Sequence, residues 1–68
     1  MELIINQQHR IFEEAPASLD ELMQWEAAGK TKGFAVALNN QVVPRNQWAE
    51  TPLHEKDSIL IITATQGG

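Results

Sequence analysis

The sequence predicts an α+β domain in which one helix lies across one face of a small sheet. Three observations predict it: a strand-like alternation at the N-terminus, one capped helix in the first half, and several β-prone stretches in the second half. The chain has 68 residues, so it forms one small core and has little room for an enclosed active site.

The first stretch predicts a β-hairpin. In MELIIN, residues 1, 3 and 5 fall on one side of an extended strand and residues 2, 4 and 6 on the other. NQQ supplies polar turn residues, and HRIFEE returns as a second strand. The adjacent apolar residues Ile11 and Phe12 leave the facing of that strand open.

The segment SLDEL predicts the start of the helix. Ser18 stands three residues before Glu21, which is the spacing of a capping box. Trp25 lies off the apolar stripe and is expected to be partly exposed, and Gly29 is the expected helix end. The stripe at helical spacing consists of Leu19, Leu22, Met23 and Ala27.

Three further strands are predicted after the helix. FAVAL alternates large and small apolar residues, Asn39 and Asn40 suit a tight turn, and QVV before Pro44 reads as an edge strand. NQWAETPL is a connection with a possible helical turn. SILIITA carries apolar residues on both faces and is therefore expected at the centre of the sheet.

A single helix covers only one face of the sheet, so the other face is a candidate partner surface. Ile4, Ala35 and Ala37 are expected there, together with one alternating set from the last strand, either Ile59 and Ile61 or Leu60 and Ile62. The candidates singled out for partner contact are Ile59, Ile61, Arg45 and Trp48. For Trp48, packing after the edge strand is the favoured role and partner contact the second; for Arg45, a structural hydrogen bond or a solvated position is favoured over contact with an acidic patch of a partner.

Composition argues against several function classes. The net charge is −4 and the five basic residues are scattered, which disfavours nucleic acid and favours a partner with a basic surface. The chain has no cysteine for a disulfide or a thiolate metal site. His9 and His54 stand alone without metal-ligand spacing, and no nucleophile constellation is present, so the chain is not expected to be an enzyme.

The N-terminus resembles neither a signal peptide nor a membrane span, and a cytoplasmic protein without membrane contact is expected. The predicted organisation is one domain over residues 1–64 followed by a flexible tail over residues 65–68.

The tail ends in Gln66, Gly67 and Gly68. A carboxylate is a poor electrophile, but another enzyme can convert it with ATP into an acyl-adenylate that a nucleophile attacks. Glycine permits close backbone approach, which a narrow enzyme channel requires. The four residues beyond Ala64 reach roughly 13–14 Å when extended. A reactive end on a short tether is the geometry of a carrier.

The sequence resembles the ThiS family, the sulfur carrier proteins of thiamine biosynthesis. The resemblance rests on VVPRNQW, with Val43, Pro44, Arg45 and Trp48, on SILIITA, and on the terminal Gly67 and Gly68. It implies a ubiquitin-like β-grasp fold. It covers nearly the whole chain, from MELIIN to the end.

The resemblance also implies a reaction and its partners. Gly68 would be adenylated by a ubiquitin-activating-like enzyme that uses ATP and magnesium, and then converted to a thiocarboxylate. The sulfur would originate from cysteine through a desulfurase or another persulfide donor, and would pass to the thiazole ring on thiazole synthase. The carrier itself would hold no cofactor or metal.

Lys56 departs from the family pattern, since it stands in HEKDS where relatives often place glycine, and the helix segment MQWEAAGKTKG follows that pattern only loosely. Other functions also stay open at this point. They are a sulfur carrier for molybdopterin synthesis or tRNA thiolation, a protein-conjugating tag, and a ubiquitin-like interaction module with an inert tail.

Overall fold

The computed structural model describes residues 1–27 and 33–63. Five strands, one α-helix and one 3-10 helix follow in the predicted order. They are β1 (Glu2–Ile5), β2 (Gln8–Ile11), α1 (Leu19–Ala27), β3 (Phe34–Leu38), β4 (Gln41–Val42), the 3-10 helix (Arg45–Glu50) and β5 (Ser58–Thr63). The expected helix end at Gly29 lies outside the described residues. In the described ranges, no helix is long and apolar enough to cross a membrane.

The strands form one mixed sheet in the order β2-β1-β5-β3-β4. β5 lies at its centre, parallel to β1 and antiparallel to β3, and β4 lies at an edge. Both positions were predicted from the sequence. A strand with apolar side chains on both faces is stabilised where neighbours pair with both of its edges.

Both hairpins turn through two residues with positive φ. Asn6 and Gln7 have φ values of 51° and 67°, and Asn39 and Asn40 have φ values of 51° and 71°. Positive φ at both central residues is the signature of a type I′ turn, whose twist matches that of the strands it joins. These φ values confirm the predicted turn at Asn39 and Asn40. Asparagine tolerates this conformation better than most residues.

The helix begins where the sequence predicts, with one change in its cap. The Glu21 amide donates to Ser18 Oγ at 3.3 Å, as a capping box requires. The Glu21 carboxylate accepts a hydrogen bond from the Ala17 amide at 2.6 Å, one residue earlier than expected. The Leu19 amide donates to the Thr51 carbonyl at 2.8 Å and so ties the start of α1 to the chain that follows the 3-10 helix.

The core lies between α1 and one face of the sheet. Trp48 and Leu53 add side chains from the connection between β4 and β5. The stripe residues Leu19, Leu22 and Met23 are fully buried, as predicted, and Trp25 is half-exposed. The buried apolar set of the described residues is Leu3, Ile5, Leu19, Leu22, Met23, Val36, Trp48, Leu53 and Ile59.

The turn before β5 places Lys56 at φ 65°, in the left-handed region. The Lys56 amide donates to the Glu2 carbonyl at 2.6 Å, and the Asp57 amide donates to the His54 carbonyl at 3.1 Å. These bonds hold the backbone in a conformation that glycine adopts without a Cβ clash. The lysine therefore occupies a position with glycine geometry.

We expect Lys56→Gly to raise the free energy of unfolding by about 0.5–1 kcal/mol, because relief of the left-handed strain exceeds the added freedom of the unfolded chain. Urea denaturation monitored by tryptophan fluorescence measures this change. Lys56→Ala is the matched control, since it removes the same side chain and keeps the Cβ atom. Equal stabilities of the two variants would contradict the prediction.

Candidate functional site

The predicted reactive residues follow the central strand. β5 is described up to Thr63, which pairs with Phe34 of β3. The predicted tail residues Gln66, Gly67 and Gly68 lie outside the described residues. The structure therefore describes the strand from which the tail leaves and the surface beside it.

The register of β5 decides which of its side chains face outward. Ala35 pairs with Ile62 and Ala37 pairs with Leu60, so these four residues share the face opposite the helix. Leu60 is 44% exposed and Ile62 is 50% exposed, whereas Ile59 is 1% exposed.

The choice of Ile59 and Ile61 as partner-contact residues is therefore corrected. Ile59 lies in the core, and Ile61 packs against it. Ile59 is aligned with Ile5 of β1 and Leu38 of β3, which fixes it on the side of α1. Since side chains alternate along a strand, burial of this set exposes Leu60 and Ile62.

We call the surface opposite α1 the helix-free face. Its centre is apolar and contains small residues on β3, which leaves Leu60 and Ile62 accessible. Ile11 on β2 is 81% exposed on the same face, while Phe12 packs against the core, which settles the facing that the sequence left open. The helix-free face comprises Ile4, Ile11, Ala35, Ala37, Val42, Leu60 and Ile62. An apolar patch of this kind on a small domain is typical of an interaction site.

A polar pair borders the helix-free face on its β2 side. The register pairs Ile4 with His9 and Glu2 with Ile11, so His9 and Glu2 lie on this face. His9 Nδ1 and Glu2 Oε2 form a hydrogen bond. The hydrogen bond from His9 holds the pKa of the Glu2 carboxyl below its ordinary value, against the opposing effect of desolvation, and the charges of His9 and Lys56 act in the same direction as the bond.

Trp48 and Arg45 lie on the 3-10 helix and have different environments. Trp48 is 1% exposed, and its indole N–H donates to the Val43 carbonyl at 2.9 Å. The packing role is therefore the one observed, and Trp48 is not available as a surface contact. Arg45 is exposed at the beginning of the 3-10 helix.

Two asparagine side chains accept hydrogen bonds from the backbone of β5. The sequence predicted only turns at these residues. Asn6 Oδ1 accepts a hydrogen bond from the Ile61 amide at 2.7 Å. Asn39 Oδ1 accepts one from the Ser58 amide at 3.0 Å. In the sequence, an asparagine stands first in each two-residue turn. That position does not indicate which strand the side chain contacts.

At this site, the described residues form a surface that could bind another protein. Within residues 1–27 and 33–63, no group of three or more His, Asp or Glu side chains could hold a metal ion. The site consists of an apolar face, a polar border and a central strand that leads into the tail.

The topology defines the class of protein. A mixed five-stranded sheet with β5 at its centre and one helix across one face is the ubiquitin-like β-grasp fold. The structure is similar to the crystal structure of the thiamine biosynthesis protein ThiS from Geobacter metallireducens, with a TM-score of 0.85 over 100% of both chains. At 22% sequence identity, this likeness shows the fold.

The sequence comparison shows the family. The model of the ThiS family matches residues 3–68. The chain is also 40% identical over 50 residues to the sulfur carrier protein ThiS of Escherichia coli (strain K12), covering 74% of this chain and 68% of that relative. The chain belongs to the ThiS family, which confirms the resemblance and the β-grasp fold that it implied.

We expect His9→Ala to raise the pKa of the Glu2 carboxyl toward its ordinary value, because the variant loses the hydrogen bond that favours the charged form. NMR titration of the Glu2 carboxyl carbon measures the shift. A lowered folded-state pKa stabilises the native protein above the ordinary carboxyl pKa of about 4.3, and this stabilisation is lost as the pH falls through the folded-state value.

His54→Ala is the control for this titration, because it removes a histidine that lies beside a different carboxylate. His54 Nδ1 is 3.7 Å from Asp57 Oδ2. The control should leave the Glu2 titration unchanged. A Glu2 pKa that is the same in wild type and His9→Ala would contradict the assigned cause.

Proposed function

We propose that this protein is a cytoplasmic sulfur carrier in thiamine biosynthesis and acts as a substrate of partner enzymes. The observation that carries the proposal is the ThiS family match over residues 3–68, which includes Gly67 and Gly68. The similarity to the sulfur carrier protein ThiS of Escherichia coli supports the same function.

The proposed chemistry takes place at the carboxyl group of Gly68. An adenylating enzyme of the ubiquitin-activating type joins this carboxylate to the α-phosphate of ATP, with magnesium on the enzyme, and releases pyrophosphate. The outer sulfur of a persulfide, supplied by a cysteine desulfurase or another persulfide donor, then attacks the carbonyl carbon and displaces AMP, which leaves an acyl disulfide between donor and carrier. A second thiol attacks the donor's sulfur, forms a disulfide with it and releases the carrier as the thiocarboxylate, so this thiol supplies the two reducing electrons. The resulting thiocarboxylate donates its sulfur to the thiazole ring on thiazole synthase.

Glycine suits the reactive end for a steric reason. The reacting carbonyl must enter the active site of another protein, and Gly67 and Gly68 let the backbone approach closely because they have no Cβ. Gln66 precedes them and would enter the same channel. Five residues follow Thr63, and when fully extended they span at most roughly 16–18 Å.

The helix-free face is proposed to bind the adenylating enzyme. β5 contributes Leu60 and Ile62 to this face and also leads into the tail, so an enzyme seated on the face is beside the residues that it must modify. The net charge of −4 favours a partner whose rim around the contact is basic, which would mainly raise the association rate.

The first test is an intact mass measurement after incubation with ATP, magnesium, a sulfur donor and an adenylating enzyme that converts a known carrier. We expect a gain equal to the difference between a sulfur and an oxygen atom, located on the C-terminal peptide. Deletion of Gly68 should leave the fold intact and abolish the gain, because the reacting carboxylate is displaced from the active site by one residue. No gain in the full chain would refute the proposed function and favour an interaction module with an inert tail.

A complementation experiment separates the thiamine pathway from other sulfur pathways. We expect the gene for this chain to restore thiamine-independent growth to cells that lack their own carrier. Rescue of molybdenum-cofactor synthesis or of tRNA thiolation instead would assign the carrier to that other pathway.

The docking surface is tested with Leu60→Asp. A buried charge at the centre of the apolar contact should weaken binding to the adenylating enzyme by roughly tenfold or more, as for other central contact residues. Trp25→Asp is the matched control, since Trp25 is 47% exposed and lies on α1. Circular dichroism first verifies that both variants are folded. Titration calorimetry then gives the affinity of each variant for the adenylating enzyme.

Equal losses of affinity in the two variants would show that added negative charge, and not the helix-free face, is responsible. Unchanged binding by Leu60→Asp would place the docking surface elsewhere on the protein.

A further inference from the structure

The side chain of Asn6 extends the pairing between β1 and β5 beyond the end of β1. The Asn6 amide donates to the Ile59 carbonyl at 2.9 Å, which continues the parallel pairing. β1 ends at Ile5 and the chain then turns through Asn6 and Gln7. The next donor of the ladder is the Ile61 amide, two residues further along β5, and it needs an acceptor on the side of β1. Asn6 Oδ1 is that acceptor, at 2.7 Å.

This bond attaches β5 at Ile61 on the edge that faces β1. On the other edge, β3 pairs with β5 through Val36 opposite Ile61 and onward to Phe34 opposite Thr63. The Ile61 side chain also packs against the core. Ile61 is thus bonded to Asn6, aligned with Val36 of β3 and packed against the core, seven residues before Gly68.

The position of this attachment matters for a reaction at the end of the chain. At full extension, roughly 23–25 Å separates Ile61 from Gly68. A change of a few degrees in the direction of β5 at Ile61 therefore moves the end of an extended tail by an ångström or more. Misplacement on that scale is sufficient to slow an enzymatic step.

We infer that Asn6 is a positioning residue for the reaction of the tail: its side-chain amide fixes the direction in which β5 delivers Gly68 to the adenylating enzyme. The inference rests on the proposed function. Asn6 acts through Ile61 and does not itself touch the reacting atoms.

The chain contains a matched control for this role. Asn39 has the same φ value of 51° in the other type I′ turn, and its Oδ1 accepts from the Ser58 amide at 3.0 Å. Its Nδ2 also donates to Asp57 Oδ1 at 3.0 Å. Asn39 thus binds the beginning of the same strand, whereas Asn6 binds it three residues nearer the tail.

The experiment compares Asn6→Gly, Asn39→Gly and Asn6→Asp. Glycine preserves the positive φ of each turn and removes only the side chain. Aspartate keeps an oxygen that can accept the Ile61 amide. Three quantities are measured: the amide hydrogen exchange rate at Ile61 in the free protein, and kcat and KM for ATP-dependent modification of the carrier.

We expect Asn6→Gly to speed exchange of the Ile61 amide roughly fivefold, the effect of losing one hydrogen bond of ordinary net strength. The kcat of modification should fall by a similar factor or more, while the KM for the carrier stays the same because the helix-free face is intact. Asn6→Asp should restore both values. Asn39→Gly should leave kcat unchanged, although it removes two hydrogen bonds from the same region.

Several results would overturn the inference. Unchanged Ile61 exchange in Asn6→Gly would mean that the bond does not hold the strand, and faster exchange with unchanged kcat would mean that the bond is only structural. Equal falls in kcat for Asn6→Gly and Asn39→Gly would attribute the effect to general loosening of β5. If the wild-type chain is not modified by an enzyme that modifies a known carrier, the proposed function fails first and the role of Asn6 fails with it.

Discussion

The structure depends on the placement of β5 between β1 and β3. This strand pairs with a neighbour on each edge and carries apolar side chains on both faces. The other four strands are arranged around it. Ile59 on one face joins the core beneath α1, and Leu60 on the other stays accessible. The same six residues therefore supply core packing, an apolar outer face and the origin of the tail.

A domain of this size has one core and must cover it with few residues. Among the side chains of α1 up to residue 26, three are fully buried, and the connection before β5 supplies Trp48, whose indole N–H donates to the Val43 carbonyl. The bond from the Leu19 amide to the Thr51 carbonyl joins these two covering segments. Because all of this cover lies on one side of the sheet, the opposite side remains an apolar surface. An exposed apolar face of this kind is typical of an interaction site.

Polar side chains at the turns add to the backbone pairing. Asn6 and Asn39 combine two tasks, because each adopts the positive φ of its turn and each accepts a hydrogen bond from β5. Asp57 adds a further link by accepting from the Asn39 amide group and from the His54 backbone amide. The strand that leads into the tail is thereby attached at its beginning and again near its end.

The sequence by itself determined the order of the elements, the helix cap at Ser18, the turn at Asn39 and Asn40, and the central place of SILIITA, because each depends on local spacing or on apolar residues along one strand. Its motifs also indicated the family. Only the tertiary structure decided that Ile59 faces the core and Leu60 the outside, since both sets are equally apolar and the choice depends on register with β1 and β3. The packing role of Trp48 was predicted and its burial confirms it. The bonds of Asn6 and Asn39 with β5 were beyond the sequence, because they join residues that are distant in the chain and meet only when the sheet has formed.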